Sequence, residues 1–148
     1  MVKYLSQEWA EQAKKKVLTE LDKAKDLKNM NASLLNVVQN IPPDNKTIYY
    51  YIKFTDGNLD ELITSTDESI KQKQADFIVA GDYTTFIQIN NGQMSSAMAL
   101  LKNRVKMTGN KMKALTITKP IDNYNRCVNG VPTDYPRRRR RSAGAFCR

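Results

Sequence analysis

The first 27 residues have hydrophobic positions at helical spacing. Apolar side chains recur every fourth residue, at Leu5, Trp9, Ala13, Val17 and Leu21. This periodicity predicts an amphipathic helix of about six turns from Tyr4 to Leu27, with Ser6 as its N-cap. Acidic residues offset its lysines, so we expect the apolar stripe to pack on a protein core rather than on a membrane.

The pattern then changes to short runs that alternate with a period of two. Leu34 to Ile41, Thr47 to Phe54 and Leu59 to Thr64 are separated by turn residues and predict a three-stranded meander. In the middle strand one face carries Ile48, Tyr50, Ile52 and Phe54, and the other carries Tyr49, Tyr51 and Lys53. The first face is strongly apolar, which favours packing under helices over a platform for stacking bases.

The second half of the chain predicts two more strands and a series of helices, each bounded by a turn or capping residue. These elements are a strand at Ala75 to Ala80, a helix from Asp82 to Asn91-Gly92, a short helix at Ala97 to Leu101 capped by Ser95 or Ser96, a strand at Arg104 to Thr108 with Val105 and Met107 inward, and a helical region that starts at Asn110 and restarts at Pro120.

Composition limits the chemistry that the chain can perform. Its 148 residues, of which 41% are hydrophobic and 26% charged, suit one globular domain, which we assign to residues 1–135. The absence of histidine excludes Ser-His and Cys-His nucleophile pairs and histidine-bearing zinc sites. Cys127 and Cys147 form neither a metal motif nor a disulfide framework, which favours a reducing compartment. We therefore expect no enzyme activity, no metal and no cofactor.

The net charge of +9 is concentrated in a tail. The last thirteen residues, Pro136 to Arg148, contain six arginines and no acidic residue. Without them 18 basic residues oppose 15 acidic ones, so the rest carries only +3. We expect a disordered tail that is idle or an added extension. The alternatives are non-specific nucleic-acid binding and contact with an anionic membrane through its five consecutive basic residues, Arg137, Arg138, Arg139, Arg140 and Arg141.

Apolar runs such as Ile48 to Ile52 are far shorter than a membrane span, and the polar start of the chain does not resemble a signal peptide. We therefore expect a cytoplasmic protein.

Residues 74–115 carry an ordered set of short motifs: Ala75-Asp76, Gly81-Asp82, Asn91-Gly92, Gln93-Met94, Ala97 to Leu101, Arg104 to Thr108 and Gly109-Asn110. In this order and spacing they resemble the core of the sterol carrier protein type 2 (SCP-2) family, the non-specific lipid-transfer proteins. One departure is Lys102-Asn103, where the family usually has a glycine. Asparagine also tolerates the left-handed conformation, so the departure concerns the turn more than the fold.

The resemblance implies an α+β fold in which a five-stranded, mostly antiparallel sheet is covered on one side by helices. It also implies an apolar tunnel between the layers that takes a fatty acid, a fatty acyl-CoA or a sterol-like lipid. Methionines would provide flexible walls for such ligands. The candidate lipid contacts are Trp9, Tyr50, Ile52, Phe54, Ile78, Phe86, Met94, Met98, Leu101, Val105, Met107, Met112 and Leu115.

Two other functions fit the same sequence. The same apolar residues could fill a solid core, which would leave an accessory or dimerisation domain without a ligand. Alternatively, the arginine tail could make the chain a basic interaction module. A hydrolase is the least favoured interpretation, because Asp56, Asp60 and Glu61 fall around a predicted hairpin turn rather than in a catalytic arrangement.

Overall fold

The computed structural model of the chain describes residues 1–137, so the predictions for residues 138–148 of the tail lie outside it. The elements in chain order are β1 (Val2–Lys3), α1 (Gln7–Glu20), β2 (Ala32–Ile41), β3 (Lys46–Thr55), β4 (Asn58–Ser65), a 3-10 helix (Glu68–Gln72), β5 (Phe77–Asp82), α2 (Tyr83–Asn90), α3 (Ser96–Leu101), β6 (Val105–Thr108), α4 (Lys111–Thr116), α5 (Thr118–Asn129) and β7 (Thr133–Asp134).

Five strands form the main sheet in the order β4-β3-β2-β5-β6. β2 and β5 pair in parallel, and the other neighbours are antiparallel. The predicted five-stranded, mostly antiparallel sheet is therefore confirmed. The structure adds a separate parallel pair of β1 with β7, and the 3-10 helix between β4 and β5, neither of which the sequence pattern indicated.

The α-helices pack on one face of the sheet, as the resemblance implied. The main hydrophobic core lies between the helices and the sheet. It includes Ile48, Tyr50, Ile52 and Phe54 of β3, as the period-two pattern predicts. Tyr49 and Tyr51 point to the other face, where a smaller cluster with Leu35, Val37 and Ile70 lies beside the 3-10 helix. There the ammonium groups of Lys71 and Lys73 stand 5.3 and 4.9 Å from the ring centroids of Tyr49 and Tyr51, within cation–π range.

The first helix is shorter than the predicted Tyr4 to Leu27. It ends at Glu20 because Leu21 is extended, with ψ of 137°. The Asp22 carboxylate then accepts hydrogen bonds from the backbone N–H groups of Ala24 and Lys25, which stabilises a turn in place of another helical turn. Leu27 therefore reaches the core from a turn rather than from a helix.

Most of the predicted caps are present. The side chains of Ser6, Ser95 and Asn110 accept hydrogen bonds from backbone N–H groups of α1, α3 and α4, respectively. Asn103 has φ of 55°. It therefore adopts the left-handed conformation in the turn after α3, where the family usually has a glycine. Asp82 precedes α2 but makes no capping bond, because its carboxylate accepts from the Asn40 amide at 2.6 Å.

A reciprocal pair of hydrogen bonds stabilises the entry of the parallel strands. The backbone N–H of Ser33 donates to the Asp76 carboxylate at 3.1 Å, and the backbone N–H of Asp76 donates to Ser33 Oγ at 2.9 Å. These bonds join the chain just before β5 to β2 at a point where the parallel ladder begins. Asp76 therefore aligns β2 with β5, which is a structural reason for the Ala75-Asp76 motif.

We expect Asp76→Ala to lower the free energy of unfolding by about 1 kcal/mol, because it removes the hydrogen bond that the Ser33 N–H donates to the exposed Asp76 carboxylate. Urea unfolding measures this as a lower midpoint with an unchanged slope. Asp60→Ala is the matched control, because it removes the same charge from an exposed position of β4 whose carboxylate accepts no hydrogen bond from residues 1–137. Equal midpoints for the two variants would contradict the assigned role of Asp76.

Candidate functional site

A cavity of about 80 Å³ lies between the inner face of the sheet and helices α2 to α5. Strands β2, β3, β5 and β6 form its floor, and Ala99, Leu100, Ala114 and Ile121 are among the helical residues that form its roof. None of its lining residues carries a formal charge. The cavity is thus an uncharged, mainly apolar space at the place where the resemblance implied a tunnel.

The structure brings five of the predicted contact residues together around this cavity. They are Tyr50 and Ile52 of β3, Phe86 of α2, and Val105 and Met107 of β6. The three strand residues Tyr50, Ile52 and Val105 are buried, and Met107 is half-buried. These residues share the inner face because the period of two was read correctly on β3 and β6.

Four other predicted residues lie in the helix–sheet layer but outside the cavity lining. Trp9 is 1% exposed and meets the Tyr50 ring edge-on, and Phe54 meets the Tyr124 ring in the same way. Met94 and Leu115 are half-buried and pack against the core. These side chains support the walls rather than form them.

The remaining four predictions of position are corrected by the structure. Ile78 lies on the opposite face of the sheet, because Phe77 and Val79 are the inward residues of β5. Met98, Leu101 and Met112 are 43%, 59% and 74% exposed. Helices α3 and α4 have only six residues each and bury a single narrow face, which Ala99, Leu100 and Ala114 occupy.

Sequence reasoning missed several wall residues, notably Leu34, Phe77, Val79 and the buried Asn36. A signal for Asn36 was present, because it shares the inner face of β2 with Leu34 and Val38, and a polar residue in such a series is unusual. Which residues of β2 meet those of β3 depends on strand register. This register brings Asn36 opposite Tyr50 and Leu34 opposite Ile52.

Hydroxyl and amide groups form a polar cluster on one wall of the cavity. The hydroxyls of Tyr50 and Tyr124 hydrogen-bond to each other, and the Asn36 amide donates to the backbone carbonyl of Tyr50 at 3.2 Å. The Asn90 amide lies 3.5 Å from the Tyr4 hydroxyl. Desolvation by burial raises the pKa of Tyr4, Tyr50 and Tyr124. The cluster is therefore a set of neutral hydrogen-bonding groups.

Neither a cluster of metal ligands nor a membrane-spanning helix is present among residues 1–137. In this part of the chain no group of three or more His, Cys, Asp or Glu residues could hold a metal ion. None of its helices combines the length and the apolar character that crossing a membrane requires.

The buried tyrosines predict a loss of stability at high pH. Burial raises the pKa of Tyr83 to about 12 from 10.0, so above pH 10 the unfolded chain loses this proton before the folded one. The free energy of unfolding contributed by such a tyrosine is constant below pH 10 and then falls as the pH rises toward the pKa of the folded state. Urea unfolding across this range, compared between the wild type and Tyr83→Phe, should show the smaller decline in the variant. If the free energy of unfolding fell equally with pH in both proteins, the raised pKa of Tyr83 would be contradicted.

Three comparisons place this architecture among known folds. It resembles the conserved hypothetical protein TT1886 from Thermus thermophilus, at 17% sequence identity and a TM-score of 0.69 over 89% of this chain and 94% of the other. It resembles a crystal structure of sterol carrier protein 2 at 16% identity and a TM-score of 0.69, covering 87% and 99%. For the palmitated SCP2L2 of Aedes aegypti the values are 11% and 0.52, covering 78% and 94%.

At the level of sequence, no curated protein is significantly similar to this chain. The profile of the SCP-2 sterol transfer family, however, matches residues 10–122, from α1 to the first turn of α5. The matched region contains the whole five-stranded sheet and most residues of the cavity wall. The chain therefore belongs to the SCP-2 sterol transfer family.

Proposed function

We propose that the protein binds one apolar lipid, a fatty acid, a fatty acyl-CoA or a sterol-like molecule, in the cavity between sheet and helices, and transfers it between membranes or to enzymes. The observation that carries this proposal is the uncharged, mainly apolar wall of the cavity. Membership of the SCP-2 family and the fold shared with a palmitated relative support it.

The energetics of such a site require no catalytic groups. Burial of each methylene of a lipid chain is worth about 0.8 kcal/mol, so an apolar wall provides affinity by itself. An ionised head group would lose its hydration without gaining a counter-charge from this wall. A carboxylate or a coenzyme A group therefore stays outside the cavity, whereas a neutral hydroxyl can enter and bond to Tyr50 and Tyr124.

Ligand binding must enlarge the cavity. Its volume of about 80 Å³ is smaller than the roughly 150 Å³ of an apolar cavity that holds a benzene-sized molecule. The wall contains parts that can move: the unbranched Met107 side chain, and α3 and α4, which are short helices of six residues. We therefore assign the tunnel to the ligand-bound state, which the protein reaches when these parts separate.

The small volume also favours one competing function, an accessory or dimerisation domain with a filled core. Such a domain would take up no lipid and would form an oligomer under native conditions. The two functions make opposite predictions for the same measurement, so one experiment distinguishes them.

Native mass spectrometry of the full chain, purified without detergent, should show a stoichiometric adduct, and denaturing extraction should release a lipid. A fluorescent fatty acid should bind if the purified protein is empty. Failure of both would contradict lipid binding and favour the filled core. Turnover of an added acyl thioester would contradict the expectation that the protein is not an enzyme.

The cavity can be tested by filling it. Ala99 is 1% exposed and lines the cavity, so Ala99→Leu places extra carbon atoms where the ligand would lie. We expect at least a tenfold loss of affinity, since displacing even two methylenes of ligand costs about 1.6 kcal/mol. Ala97→Leu is the matched control, because Ala97 lies on the same helix outside the cavity lining. Equal affinities of the two variants would locate the ligand elsewhere.

The polar cluster predicts how ligands are oriented. Tyr124→Phe removes a hydroxyl that can bond to a sterol hydroxyl, so we expect about three- to tenfold weaker binding of a sterol. Affinity for a fatty acid should change little, because its carboxylate stays outside. The control is Tyr83→Phe, whose hydroxyl donates to the Pro136 carbonyl away from the cavity. An equal loss for both ligands in Tyr124→Phe would contradict this orientation.

A further inference from the structure

A buried asparagine lies on the floor of the cavity. Asn36 of β2 is only 9% exposed and lines the cavity, and its neighbours on the inner face of the strand, Leu34 and Val38, are apolar. Its amide nitrogen donates to the backbone carbonyl of Tyr50 at 3.2 Å. Burial of an amide is unfavourable unless its donors and acceptors are paired, so the partner of the amide oxygen has to be identified.

The amide oxygen of Asn36 accepts no hydrogen bond from residues 1–137. It is not sealed inside the core either, because the Trp9 indole nitrogen is the only fully buried side-chain polar atom in this part of the chain that has no partner. Since the amide nitrogen is turned toward the Tyr50 carbonyl, the oxygen on the other side of the amide is turned away from it. The oxygen of Asn36 is therefore an acceptor that is open to the cavity.

This oxygen differs from the hydroxyl groups of the wall, which can adapt to a ligand. The hydroxyls of Tyr4, Tyr50 and Tyr124 can rotate, so each can donate to a ligand or accept from it. The Asn36 amide cannot exchange its oxygen for its nitrogen without losing the bond to the Tyr50 carbonyl. Its oxygen only accepts. A ligand that displaces solvent from this oxygen therefore has to supply a donor, or it leaves a buried acceptor unpaired, which costs binding free energy.

We propose that Asn36 makes the cavity select lipids whose buried end donates a hydrogen bond, through a hydroxyl or an amide N–H, over lipids of the same size that only accept one, such as ethers, esters and ketones. A protein site that bonds a ligand hydroxyl discriminates against the analogue without it, because the protein group is then left unpaired. The selection rests on the proposed function, since it names the ligand class of the same cavity. The apolar wall provides affinity, and Asn36 determines which end group enters.

Two isomeric ligands test the proposal. Dodecanol and undecyl methyl ether have the same composition and both accept hydrogen bonds, but only the alcohol donates one. Each is used to displace a fluorescent fatty acid from the full chain, and the measured quantity is the ratio of the affinity for the alcohol to that for the ether. Asn36→Leu should lower this ratio roughly three- to tenfold, the value of one hydrogen bond. Comparing ratios between proteins cancels the different hydration of the two ligands and any change in affinity for the probe.

Two further variants separate the fixed acceptor from polarity and from shape. Asn36→Thr places a rotatable hydroxyl at this position, which can accept from the alcohol or donate to the ether, so the ratio should fall although the position stays polar. Leu34→Met is the matched control, because Leu34 is buried on the same face of β2 and lines the same cavity. It changes the shape of the wall without adding a hydrogen-bonding group like that of Asn36, so the ratio should stay that of the wild type.

Urea unfolding identifies the variants that fold, so that Asn36→Thr decides the outcome if Asn36→Leu does not fold. An unchanged ratio in the folded Asn36 variants, or an equal fall in Leu34→Met, would overturn the proposal. So would a wild type that binds the fluorescent fatty acid but releases it to neither isomer, although lipid binding itself would then stand. A wild type that does not bind the fluorescent fatty acid, and carries no lipid when purified, would overturn both the selection and the proposed function.

Discussion

An aromatic cluster holds the helices at their distance from the sheet. The Trp9 ring of α1 meets Tyr50 of β3 edge-on, with centroids 5.5 Å apart, and the Tyr50 hydroxyl bonds to that of Tyr124 on α5. Tyr124 in turn meets Phe54 edge-on at 5.5 Å. These large, rigid rings fill the layer on the side of α1 and β3. The small residues Ala99 and Ala114 lie in the roof of the cavity, where they leave space between these helices and the sheet.

Part of the site could be predicted from the sequence because two of its strands alternate clearly between apolar and polar residues. Strand β3 has ten residues and a clear alternation, so Tyr50 and Ile52 were assigned to the correct face. Val105 and Met107 were assigned for the same reason, with charged or polar neighbours on either side. The order of strands and helices also followed from the family pattern, because turn and capping residues such as Asn110 mark each boundary.

The incorrect positions have physical causes. In β5 the run from Phe77 to Ala80 is continuously apolar, and a strand with hydrophobic residues on both sides gives no alternation from which to choose the inner face. A helix of six residues buries one or two positions, so an apolar composition such as that of α3 does not identify them. Burial of Asn36 and its position opposite Tyr50 depend on pairing between distant segments, which a single sequence does not show.

Met98, Leu101 and Met112, which the sequence assigned to the cavity wall, lie on the surface of α3 and α4 instead. In a protein that only needed to be stable, polar residues at these positions of α3 and α4 would serve equally well, since surface positions tolerate most substitutions. Ser96 anchors the start of α3 to Asp122 of α5 through its backbone N–H and its hydroxyl, at 2.9 and 2.6 Å, while Leu101 and Lys102 at the other end are exposed. The start of this helix is thus bonded to α5, and its end is exposed to solvent. Because α3 also carries Ala99 and Leu100 on the cavity wall, the bonds that hold its first turn to α5 also fix this part of the wall.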